Sequence, residues 1–250
     1  MFETTGKKSE LLLKAIGAIS DSLPLHALNL LRSCAGACRF EHLCQSSQFT
    51  LPLKESTAEC SKGLRKTLEK IVGNPIDAKA WDQARIPMKL GGLGIRDPSI
   101  LYSSSRWAAV EAAQKLSLEL GAIPSFVDEA IVKAKGLFFQ ETGQTPVPIP
   151  AYEKMQQQLS NVIYQQMSYR LTTQQTPFHT ARLNSLKTPH ATSWTSGFSP
   201  WYTLSNDAAR HGIKWILGLS VNNASYKCNW CGKDADREGL HAVTCQLLVQ

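Results

Sequence analysis

Cys228, Cys231, His241 and Cys245 are spaced C-x2-C-x9-H-x3-C, and no other pattern in the chain restricts the backbone so tightly. For one ion to take all four side chains, the chain must turn sharply between Cys228 and Cys231, so that both sulfurs face one point. It must then return so that His241 and Cys245, one helical turn apart, close a tetrahedron. Three sulfurs and one imidazole fill every position of a tetrahedral site, whereas a catalytic zinc leaves a position for water. The set therefore predicts a structural Zn2+ in a knuckle over residues 220–250, with Gly232 just after the second cysteine where the turn is tightest. Such an ion would bring on the order of 10 kcal/mol of binding free energy to a segment with little apolar core of its own.

The chain has seven cysteines, an odd number, and its first residues lack the apolar core of a signal peptide. Both features point to reduced thiols, metal ligation and an intracellular protein, cytoplasmic or nuclear, rather than a disulfide framework. No apolar run approaches membrane-spanning length, so no membrane partner is expected. A hydrophobic fraction of 43% with 19% charged residues suits a globular chain with a real core. A formal charge of +7 and a pI near 9.0 favour a polyanionic partner, although scattered surface charge gives the same balance.

Helical punctuation dominates, and the expected class is mainly α. Asp21, Ser22 and Pro24 introduce an apolar run through Leu25, Leu28 and Leu31 that ends near Gly36. Ser56-Thr57-Ala58-Glu59 has capping-box spacing, and Leu64, Leu68, Ile71 and Val72 follow on one helical face beside Lys62, Arg65, Lys66 and Lys70. Three glycines in residues 85–96 predict a tight loop or short hairpin. That stretch lacks the Lys-Ser/Thr of a P-loop and the full dinucleotide fingerprint. Asp97-Pro98 starts a further helix carrying Leu101, Trp107, Ala108, Ala112 and Leu116.

A glycine and three prolines in residues 141–150 predict an extended linker, dividing a helical domain (1–140) from a helical connection region (151–219) and the knuckle (220–250). Met155, Leu159, Val162, Ile163, Met167 and Leu171 recur as the apolar face of a long helix after it. Ser205 caps a last helix with Ala209, Ile213, Ile216 and Leu217 inward and Arg210, His211 and Lys214 outward. Cys34, Cys38, Cys44 and His42 read as free thiols and a lone imidazole rather than a second metal set, and His26, His179 and His190 as surface or capping residues. Neither a Gly-x-Ser-x-Gly elbow nor a His-Glu-x-x-His motif is present, so no small-molecule substrate is indicated.

Three segments, Leu30 to Cys34 (Leu-Leu-Arg-Ser-Cys), Pro87 to Arg96 (Pro-x-x-x-Gly-Gly-Leu-Gly-Ile-Arg) and Ser105 to Ala109 (Ser-Arg-Trp-Ala-Ala), resemble the region downstream of the palm in non-LTR retrotransposon reverse transcriptases. The ending through Trp194, Leu204, Ala209, Ile213, Leu217 to Leu219, Cys228, Cys231, Gly239, His241 and Cys245 is similar to that family's cysteine-histidine knuckle. The resemblance covers most of the chain, with the Gly-Gly-Leu-Gly element and the knuckle as its sharp parts. It implies a thumb-like helical bundle with a Gly-rich hairpin, a helical connection and a zinc knuckle. The adjacent aspartates that hold two catalytic metal ions in a polymerase palm are missing: there is no Asp-Asp, and Asp128-Glu129 lacks the required context.

The expectation is thus a non-catalytic nucleic-acid-binding remnant, partnered by RNA or DNA and by any palm-bearing polypeptide it completes. Lys62, Arg65, Lys66, Lys70, Arg85, Lys89 and Arg96 are expected to contact phosphates, with Lys227, Lys233 and Arg237 doing the same around the knuckle. Trp230 is either a base-stacking platform or the knuckle's own apolar plug. The alternative is a structural or protein-interaction module whose zinc only staples the tail.

Overall fold

The computed structural model describes residues 2–47, 50–121, 125–144, 154–173, 176–195, 204–221, 226–228, 231–237, 241 and 245. The fold is mainly helical: α1 (Phe2–Ile19), α2 (Pro24–Leu30), α3 (Glu41–Ser46), α4 (Leu51–Val72), α5 (Ala78–Arg85), α6 (Pro98–Glu119), α7 (Ser125–Thr142), α8 (Met155–Thr173), α9 (Pro177–Leu186) and α10 (Asn206–Leu217). Two short strands, β1 (Tyr226–Lys227) and β2 (Asp234–Ala235), pair antiparallel in the tail. No helix among the described residues is long and apolar enough to cross a membrane.

Local chemistry accounts for several helix ends. Asp77, Asp97, Thr176 and Ser205 cap α5, α6, α9 and α10 by accepting hydrogen bonds from the N–H of Ala80, Ser99, His179 and Ala208. Pro24, Pro98 and Pro177 occupy the first helical positions, where a missing N–H costs nothing. Gly73 and Gly218 end α4 and α10 with φ of 75° and 68°. The capping box expected at Ser56 is overruled: α4 begins at Leu51, and Thr57 is buried within it. Leu53, Thr57 and Cys60 extend the buried face of Leu64 and Leu68 backwards, so packing sets the start.

The main core collects Leu13 and Ile16 of α1, Leu28 of α2, Leu64, Leu68 and Ile71 of α4, Trp81 of α5 and Ile213, Ile216 and Leu217 of α10. Ser9 meets Cys60, and Gly17, further along α1, meets Lys70, further along α4, so these two helices run in the same direction. A second cluster joins α6, α7 and α8 around Trp107 and Phe138, whose rings meet edge to face at 5.3 Å. A third places Leu101, Tyr164, Leu171 and Leu183 beside Ile86.

These clusters run across the expected division of the chain. Among the described residues, α8 shares a core with α6 and α7, and α10 lies in the main core with α1, α2 and α4. The helix α7 runs on to Thr142, and Gly143 at φ 65° ends it, while residues 145–150 of the expected linker lie outside the described residues. Lys214, expected outward on α10, is only 9% exposed, and burial lowers its pKa.

The glycine-rich segment is a loop rather than a strand hairpin. After a single 3-10 turn (Met88–Leu90), the chain doubles back with Gly94 N–H on Ile86 O at 2.9 Å and Ile95 N–H on Ala84 O at 3.1 Å. Those bonds pair the returning chain with the end of helix α5, which cannot act as a partner strand.

Candidate metal centre

The tail turns where its cysteines require it. Cys228 follows β1, its N–H donates to Lys233 O at 2.8 Å, and its carbonyl accepts the Gly232 N–H at 2.8 Å. Gly232 takes φ 69°, a conformation open to glycine at little cost, and the chain then enters β2. The two-residue ladder is too short to persist alone, so the turn depends on what its side chains hold.

Cys228, Cys231, His241 and Cys245 come together with their ligand atoms all within 4.8 Å of one another. The sulfurs of Cys228 and Cys245 lie 3.8 Å apart, and Cys231 Sγ lies 3.1 Å from His241 Nε2. Zn–S bonds of about 2.3 Å at tetrahedral angles set two sulfurs about 3.8 Å apart, and a sulfur and an imidazole nitrogen about 3.5 Å apart. The first separation fits and the second closes within a few tenths of an ångström. The group can therefore hold a metal ion and is compatible with a zinc knuckle.

Cys228 and Cys245 are buried, and Cys231 and His241 are half-buried. The Lys233 backbone N–H draws the Cys231 thiol down, but desolvation and hydrogen bonds shared with Cys228 and Cys245 outweigh it and leave the thiol above its ordinary range. Crowded sulfurs resist losing protons together, and a divalent cation reverses that preference. Sequence reasoning misses Asp236, whose carboxylate accepts the His241 backbone N–H and so orients the residue that carries the imidazole. A carboxylate just before a predicted helical turn is the available signal. Trp230 and Gly239 lie outside the described residues.

Beyond the cluster, the basic residues divide into free and occupied groups. Lys66 and Lys70 are exposed on α4 with no carboxylate within ion-pair distance among the described residues, whereas Lys62, also exposed, pairs with Glu59 at 2.6 Å. Lys89, Lys227, Lys233 and Arg237 are exposed, and half-exposed Arg96 stands 3.9 Å from Glu41. Arg65 is held by Glu69 at 3.4 Å and by the carbonyl of Ile76. Arg85 does not fit a phosphate contact. Its side chain is 14% exposed, binds Asp82 and, at 3.1 Å, Asp97, and lies over the Trp81 ring at 5.5 Å. Asp97 is fully buried as the cap of α6, so Arg85 is its counter-ion.

A second buried guanidinium has no signal in the sequence. Arg182 of α9 donates to the carbonyls of Trp215 and Ile216 at the end of α10 and to Gln83 Oε1 at 3.0 Å, while Gln83 Nε2 bonds Gly91 O at 2.8 Å. This network ties the glycine loop, α5 and α9 to the helix that leads into the metal cluster. No protein-family model, curated protein or solved structure matches the chain.

Proposed function

We propose that this chain is a non-catalytic nucleic-acid-binding module, equivalent to the thumb, connection and zinc knuckle of a non-LTR retrotransposon reverse transcriptase without its palm. The observation that carries this reading is the exposed face of α4. Lys66 and Lys70, one helical turn apart and without ion-pair partners among the described residues, stand beside Lys62, and Lys70 lies against Gly17 of α1. Lysines that neutralise phosphates release counterions without reading bases. Lys227, Lys233 and Arg237 extend the positive surface around the cluster. Cys228, Cys231, His241 and Cys245 would hold a structural Zn2+, which supplies cross-linking of the tail rather than chemistry on a substrate.

The test is fluorescence anisotropy of labelled RNA and DNA duplexes and single strands across a salt series. Binding should weaken steeply with salt, and replacing Lys62, Lys66 and Lys70 by alanine should reduce the log–log slope by about one for each phosphate no longer neutralised. Failure to bind at low salt, or a slope indifferent to the three substitutions, would overturn the proposal. In that event the protein-interaction module gains support, with Cys228→Ser unfolding the tail but sparing any partner held by the helices.

A further inference from the structure

An apolar groove of about 940 Å3 runs along the α6–α7 pair. Ala109 and Ala113 of α6 line its floor, and Glu129, Lys133 and Gly136 of α7 line its wall. A Cβ on Gly136 would meet no atom within 4 Å, so the wall is low and open. The same stripe of α6 continues beyond the groove. From Ala109, the residues Ala113, Leu116 and Leu120 follow at spacings of four, three and four, the repeat that keeps one line of side chains facing a neighbouring helix. Leu116 is 56% exposed and Leu120 76%. Single exposed leucines need no explanation, but here two large residues stand in line with two small ones on one open face.

A stripe with holes at one end and knobs at the other is complementary to itself turned end for end. With a two-fold axis midway between Ala113 and Leu116, Leu120 of each copy meets Ala109 of the other, and Leu116 meets Ala113. Every layer then pairs one large residue with one small one. The charges give a second, independent register. Trp107 meets Phe138 with ring centroids 5.3 Å apart, and Glu111 meets Lys135 at 2.8 Å, so α6 and α7 are antiparallel with known levels side by side. By those contacts, an axis between Ala113 and Leu116 crosses α7 close to residue 131. Glu129 and Lys133 lie two residues to either side of that point, on the groove wall, with side chains 69% and 67% exposed. The axis chosen by the leucines and alanines therefore sets Glu129 of each copy opposite Lys133 of the other.

We propose that the groove takes a second copy of this chain, forming a two-fold dimer in which the α6–α7 pairs of the two copies pack face to face as four helices. The occupant is a second copy because one chain carries both knobs and holes and both charges, each set at matching distances from one axis. Glu129 and Lys133, which pair within their own helix at 2.6 Å, gain a second set of partners across the axis. The α4 lysines and the tail cluster lie outside this face, so the dimer does not rest on the proposed function.

Nuclease-treated full-length protein is followed by sedimentation equilibrium over a concentration series, with circular dichroism confirming that each variant is folded. Wild type should behave as a reversible monomer–dimer system. Leu116→Glu with Leu120→Glu should raise the dimer Kd by about tenfold or more. Leu118→Glu, a change at a residue 61% exposed on the opposite side of α6, should leave it unchanged. Lys133→Glu should weaken the dimer by setting carboxylates opposite one another, and adding Glu129→Lys should restore it. A wild type that stays monomeric at every concentration overturns the proposal and leaves the groove to a different partner. A dimer indifferent to the Leu116 and Leu120 changes, or a charge swap that fails to restore association, overturns it as well. None of these readings involves nucleic acid, so loss of oligonucleotide binding through α4 would sink the proposed function and leave the dimer standing.

Discussion

Gly92 shows how much a single residue decides. A Cβ there would lie 2.1 Å from Ile86 O and 2.5 Å from Gln83 O, and Ile86 O cannot retreat without opening the bond from Gly94 N–H that folds the loop onto α5. At Gly94 the constraint is conformational instead: φ is 74°, and a Cβ would have no atom nearer than 3.7 Å. Gly92→Ala should therefore cost about 3 kcal/mol, at the upper end of overpacking, and Gly94→Ala about 1–2 kcal/mol of backbone strain. Urea unfolding followed by circular dichroism measures both, and equal stability of the two variants would contradict the distinction. The sequence announces a glycine-rich turn but cannot tell these glycines apart, because one is set by φ and the other by two carbonyls brought in by tertiary packing. For the same reason Arg85 reads as an available cation in sequence: nothing local reveals that Asp97, twelve residues on, is buried and needs it.

At the scale of elements, periodicity is a good guide wherever one face of a helix meets the core. The expected inward residues of α10, Ala209, Ile213, Ile216 and Leu217, are all buried, as are Met155, Leu159, Ile163 and Leu171 of α8. Boundaries are less legible, since the start of α4 follows the core rather than the capping box at Ser56. The clustering of Cys228, Cys231, His241 and Cys245 in the tail is legible in the sequence, because metal-ligand spacing is a local pattern. That tail differs from the helices in what holds it together: β1 and β2 are two residues each, and beyond them the tail is gathered by the Cys228, Cys231, His241 and Cys245 cluster, which can hold a metal ion. With the proposed zinc in the cluster, adding a chelator or substituting Cys228→Ser should abolish one-to-one zinc content. It should also expose the remaining tail thiols to alkylation, while the far-UV signal of the helices changes little. A large loss of helical signal on chelation would show instead that α10 and the main core depend on the ion.

For the whole molecule, the sharpest consequence of this burial is alkaline lability. Burial pushes the Cys44 thiol up to about 12 and Cys60 up to about 11 from 9.0, and it pushes Tyr102 and Tyr164 up to about 12 from 10.0. A folded thiol that holds its proton above its unfolded pKa contributes stability in full below pH 9, and that contribution is lost as the pH rises through the folded value. The phenols join from pH 10 upward. Arg32 and Arg182 act in the opposite sense, because burial lowers each to about 10 and their neutral forms favour the folded state only above that pH. Between pH 9 and 10 the two thiols therefore dominate, at roughly 1 kcal/mol each. The urea midpoint should fall across that unit of pH, and Cys44→Ala with Cys60→Ala should remove most of the fall while lowering stability at pH 7 through the cavities they leave. A wild-type midpoint that is flat from pH 8 to 10 would mean that these thiols ionise in the folded protein, and that the core formed by α1, α3 and α4 admits water.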